Sequence, residues 1–313
     1  MHKRLISMVL ALSMALSALP LPALAQSAPP DTASAEALAE ENDDVTNIFT
    51  DGNSGEPVGD YFGGGSGAWD HDKASNTLTL KSGTFQLYNY SGYNNYIKWN
   101  IQIGKYATLL DAQIGSGDAV TNAGTISDGI FYSQVFCKAG AVIKDGTFKK
   151  AVTVDAADGK VTIDGGTFEY TVYVNAVDTL TINGGTFTGG TGRSMEINDA
   201  TAKAVINGGS FESAIKDHTT AATITINSGL FKSLLYGAAQ NCTVNGGLFT
   251  AEDTPLSSDA TVNGGYFTAK RTGLVKIDAS NDPVYAPVAV AADGAVNKWS
   301  ADAYSTLYVT PNT

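Results

Sequence analysis

One hexapeptide pattern recurs along the chain and leaves few folds open to it. It reads Ile126-Ser-Asp-Gly-Ile-Phe131, Ile143-Lys-Asp-Gly-Thr-Phe148, Ile163-Asp-Gly-Gly-Thr-Phe168 and Ile182-Asn-Gly-Gly-Thr-Phe187. It continues as Ile206-Asn-Gly-Gly-Ser-Phe211, Ile226-Asn-Ser-Gly-Leu-Phe231, Val244-Asn-Gly-Gly-Leu-Phe249 and Val262-Asn-Gly-Gly-Tyr-Phe267. Successive Phe residues are 17, 20, 19, 24, 20, 18 and 18 positions apart. Leu80-Lys-Ser-Gly-Thr-Phe85 reads as a ninth copy upstream. Self-similarity at such a period marks a stack of like supersecondary units, each unable to bury a core alone.

Each repeat holds three short stretches with period-2 alternation. One precedes the corner: Val161-Thr-Ile163, Leu180-Thr-Ile182, Ile224-Thr-Ile226. The second contains the Phe. The third follows: Val135-x-Cys137, Val152-x-Val154, Val172-x-Val174, Met195-x-Ile197. Alternation puts one side of each strand inward and the other outward. Three strands in about 19 residues make one coil of a parallel β-helix. The expected fold is all-β: a single β-solenoid with irregular N- and C-terminal caps. The uneven steps favour the right-handed form over the stricter left-handed one.

The Asn-Gly-Gly corner suits a sharp bend, because Asn and Gly tolerate the left-handed backbone region. Asn183, Asn207, Asn227, Asn245 and Asn263 are expected to stack as a structural amide ladder. The Phe column is expected to be core. No helix pattern follows the Gly-Gly pairs, so they do not read as phosphate loops.

Composition narrows the function classes. A net charge of -12 argues against nucleic acid and anionic membranes, which need a basic surface. With 3 His and 2 Cys, neither an imidazole-rich metal site nor a disulfide scaffold is expected, and no cofactor is implied. Cys242 aligns with the inward Val161, Leu180 and Ile224, and Cys137 with the inward Val154, Val174 and Ile197. The two lie about 24 Å apart at the spacing of stacked strands, against the roughly 7 Å a disulfide tolerates. Both are expected to be free, buried thiols.

The N-terminus reads as a secretory leader. His2, Lys3 and Arg4 precede an apolar stretch from Leu5 to Leu19, and Ala23-Leu24-Ala25 is a small-x-small cleavage signal. The apolar run is too short to span a bilayer, and no insertion of the mature chain is expected. Residues 1–25 are therefore assigned to the leader and 26–45 to a disordered acidic linker. Residues 46–125 form an N-terminal cap with degenerate coils, and 126–275 the regular repeats. Residues 276–313 form a C-terminal cap or the start of a further module. The chain is expected to be secreted or held at the cell surface.

Trp69-Asp-His-Asp72 followed by Asn76-Thr-Leu-Thr-Leu80 resembles the opening of a family of secreted and cell-surface β-helix proteins. They are adhesin-like proteins of gut-type Gram-positive bacteria, and their modules are often labelled carbohydrate-binding. The Asn-Gly-Gly-x-Phe coils look like theirs, and the resemblance spans residues 65–275. It implies a right-handed β-helix, secretion, and glycans or host-surface molecules as partners. The residues themselves offer a candidate platform in Tyr88, Tyr90, Tyr93, Tyr96 and Trp99, interleaved with Asn89, Asn94 and Asn95. Ring faces cover the apolar side of a pyranose while amides bond its hydroxyls. The alternative is an aromatic cap packed over the first coil.

No catalytic residue is assigned. The outward middle positions of the pre-corner strands are Thr162, Thr181, Val205, Thr225, Thr243 and Thr261, none of which is an acid or base. This Thr row also raises ice binding, but Val205 interrupts it. Two groups carry the competing reading, a polysaccharide lyase or hydrolase. Trp69-Asp-His-Asp72 echoes a pectate-lyase sequence. Arg193, Glu196 and Asp199, with Lys216, Asp217 and His218 of the next coil, could rim a pocket. A third reading is a structural cell-envelope protein.

Overall fold

The computed structural model describes residues 45–50, 56–59, 67–89, 96–190, 192–219, 221–233, 235–236, 241–251, 260–267, 275–278, 287–290, 296–298 and 306–309. They belong to one unit, Asp43–Thr313. The leader, nearly all of the acidic linker, and Tyr90 and Tyr93 lie outside the described residues. Among those described, every regular element is a β-strand. Strands about 20 residues apart pair in parallel and build a right-handed β-helix of about eight turns.

Three faces repeat in each coil. The threonine face holds the strands before the corner, with Val161, Leu180, Ala204, Ile224 and Cys242 aligned and inward. The phenylalanine face follows the corner. The valine face comes third, aligning Cys137, Val154, Val174, Ile197 and Asp217. Four strands run from the valine face into the threonine face without a break: Thr77–Asn89, Asn100–Asp111, Val152–Ile163 and Val172–Ile182. The phenylalanine face forms a separate sheet.

The phenylalanine column is the centre of the core. Phe131, Phe148, Phe168, Phe187, Phe211, Phe231, Phe249 and Phe267 stack face to face, all at most 1% exposed. Ring centroids lie between 4.6 and 5.0 Å apart, and planes within 10°. Strand spacing of roughly 4.8 Å dictates this distance, since one ring projects from each coil.

The ninth copy departs from the expected place. Phe85 pairs with Leu109, which pairs with Ile126, so it lies in the inward column of the threonine face. Leu80 pairs with Ile103 on the valine-face side. The motif is thus displaced by one face, and the column position below Phe131 belongs to Ile114.

The corner also differs in detail. The second Gly takes the positive φ in all eight regular corners, for example Gly185 at 103° and Gly247 at 106°. No corner Asn has positive φ among the described residues. This explains why the second Gly never varies between repeats, while Asp128, Asp145 and Ser228 replace the first. The Asn serves the ladder. Nδ2 of Asn207, Asn227, Asn245 and Asn263 each donates to Oδ1 of the Asn one coil before, at 2.8–2.9 Å. Asn183 donates to the Asp164 carboxylate at 2.7 Å, so every bond runs the same way and ends on an acceptor.

The ends use antiparallel pairing. Val45–Thr50 joins the stack parallel to Thr84–Asn89 and is covered by antiparallel Pro57–Gly59. At the other end Thr306–Val309 pairs antiparallel with Tyr266–Phe267 and with Val275–Asp278. An antiparallel strand interrupts the parallel growth that an open end invites.

Candidate functional site

The aromatic group forms where the first coils meet the N-terminal strand. Phe49 and Tyr88 are cross-strand partners in the parallel pair, so both rings leave the sheet on the same side. They stack with centroids 5.3 Å apart and planes at 16°. Tyr88 stays 38% exposed. Partial burial, and then the charge of Asp111, push its phenol above the usual value. Beside it, Asn89 Oδ1 accepts from Thr50 Oγ1 at 2.7 Å, and Asn89 Nδ2 donates to the Tyr96 carbonyl at 2.7 Å. These bonds fix the backbone that carries Tyr96.

Tyr96 meets the edge of Tyr132, with centroids 4.8 Å apart and planes at 75°. Gly115 permits this: a Cβ there would come within 3.2 Å of Tyr96 Cβ. Hydrogen bonding with Tyr132 holds the Tyr96 phenol above its ordinary value. Phe49 and Tyr132 were not in the expected cluster. They lie far from it in sequence, and only the pairing of coils brings them in.

Trp99 requires a correction. It is 2% exposed and belongs to the core with Ile97, Ile101 and Ile103. Its ring cannot cover a sugar at the surface, because alternation along this stretch turns it inward. His71 lies against it at 6.1 Å.

Trp69-Asp-His-Asp72 is one arm of an antiparallel hairpin with Thr77–Leu80. Trp69 packs on the core. Asp72 receives hydrogen bonds from Ser75 Oγ at 2.6 Å and Ala74 N at 3.0 Å, which lower its pKa. Turn formation accounts for this carboxylate.

The second charged group is partly assembled on the valine face. Arg193 Nη1 lies 2.5 Å from Glu196 Oε1, and His218 Nε2 lies 3.0 Å from Glu196 Oε2. Burial works against the Glu196 carboxylate, yet these hydrogen bonds outweigh it and keep its pKa below the usual range. Lys216 is the cross-strand partner of Glu196. The two aspartates do not join the rim. Asp217 is 1% exposed, at the inward position aligned with Ile197. Its Oδ1 accepts from Thr219 N and Oγ1, and its Oδ2 has no hydrogen-bond partner. Asp199 accepts from the backbone of Val177 and Thr201 as a turn former.

The Thr row is aligned as expected, Thr162 to Thr261 through Val205. Both cysteines are buried thiols outside any disulfide, and burial pushes the Cys137 thiol up to about 12. Among the described residues, no three His, Cys, Asp or Glu side chains converge to hold a metal ion. Compared with models of protein families, with characterised proteins and with solved structures, the chain finds no match.

Proposed function

We propose that this chain is a non-catalytic binding module for glycans, carried on an exported, adhesin-like β-helix. One observation carries the reading: a half-exposed ring pair, Phe49 and Tyr88, is linked to a second pair, Tyr96 and Tyr132, through Asn89, which follows Tyr88 and donates to the Tyr96 carbonyl. Rings fixed on a rigid column lose little entropy on meeting a sugar's apolar face. The β-helix supplies the rigidity. The enzymatic alternative would draw on Glu196, but both oxygens of that carboxylate are engaged by Arg193 and His218.

The test is a glycan array probed with the whole chain and with a Tyr88→Ala/Tyr96→Ala variant. Selective binding that disappears in a variant of unchanged circular dichroism is the expected result. An array blank for the folded parent would remove glycans as the ligand class. Release of reducing ends from any bound polymer would favour the enzyme instead.

A further inference from the structure

The outward side of the valine face carries its own row. Phe136, Thr153, Tyr173, Glu196 and Lys216 occupy the same position on five successive coils. Coils are spaced by about 4.8 Å; Thr153 is covered and accepts from Gln134 Nε2 at 3.0 Å, so a linear polymer lying along the row meets Phe136, Tyr173, Glu196 and Lys216. Its first part is aromatic and hydroxylic; its second part is charged.

Around Glu196 gather Arg193 and His218, which touch its two oxygens, and Lys216 across the strand pair. Glu196 is more covered than either partner, with its side chain 15% exposed. Arg193 and His218 remain 34% and 35% exposed. Glu196 therefore acts as an internal brace that holds a guanidinium and an imidazole at the surface. Three basic side chains around one carboxylate is a notable arrangement on a chain of net charge -12.

We infer that Arg193, Lys216 and His218, with the ring of Tyr173, form a subsite for a uronic acid unit of an acidic polysaccharide. A guanidinium presents paired donors that match a planar carboxylate. The Tyr173 ring, half-buried one coil earlier, offers the apolar surface that the sugar's C–H side needs. The inference rests on the glycan-binding reading and gives it a second site with a stated ligand class.

Calorimetric titration of the whole chain with an oligogalacturonate, and with its methyl ester, tests this. The ester keeps the shape and removes the charge. The acid is expected to bind, the ester to bind at least about tenfold more weakly, and Arg193→Gln to cost a similar factor. Added salt should weaken the acid further. Should Arg193→Gln fail to fold, Lys216→Glu carries the test, with the same loss expected. Equal affinity for acid and ester, or full affinity in a folded Arg193→Gln/Lys216→Gln variant, would overturn the subsite. If array binding through Tyr88 and Tyr96 persists while the uronate is ignored, this subsite falls and the glycan module stands. If neither ligand type binds, both fall.

Discussion

At the scale of single residues, the same side-chain type serves opposite ends according to where alternation turns it. Tyr88 projects and Trp99 is enclosed, though both come from one Tyr-rich stretch. Glycine offers a cleaner comparison. Gly117 and Gly185 share a φ of 103°. A Cβ on Gly117 would meet nothing within 4 Å, whereas one on Gly185 would lie 2.9 Å from the Gly166 carbonyl oxygen. Gly117→Ala should cost the backbone strain alone, about 1–3 kcal/mol. Gly185→Ala should cost that and the displacement of the neighbouring coil. Urea denaturation of the two variants measures the difference, and equal losses would refute the steric account.

At the scale of elements, the unit of stability is the column. Each inner ring of the phenylalanine stack touches two others, and each inner Asn both donates and accepts. Phe187 lies between Phe168 and Phe211 at 4.6 Å on each side. Phe187→Ala should destabilise by about 3–5 kcal/mol, because the coils on either side hold the cavity open. Phe187→Leu should recover much of that loss. Thermal melts compare them, and a Phe187→Ala variant as stable as the parent would show that the stack does not support the core.

At the scale of the molecule, each coil contacts mainly its neighbours, so stability adds along one dimension. Removing residues 227–244 joins Ile226 to Asn245 and excises one coil between equivalent corners. The shortened chain should keep its β circular dichroism and a single melt at a lower temperature. Loss of cooperative melting would mean that this coil is not interchangeable with its neighbours. The aromatic site should survive the deletion, since it belongs to the opposite end.

Much of this was legible in the sequence, for one reason. Every coil must turn the same corner and fill the same column, so the constraint is written once per repeat. The Gly with positive φ, the Phe stack, the Asn ladder and the inward cysteines all follow from that rule. Phe85 shows its limit: a local motif names a corner but not which of three faces it opens. Burial of Trp99 and Asp217 was equally hidden, because phase along a strand is set by the coils above and below. Sites between coils were hidden most. Phe49 beside Tyr88, Tyr132 beside Tyr96, and Glu196 between Tyr173 and Lys216 are neighbours only across stacked strands. Coil lengths vary from 17 to 24 residues between the Phe positions, so no fixed offset predicts such pairs. The sequence determined the coil; only the stacking of coils, driven by the shared core, decided which outward side chains meet.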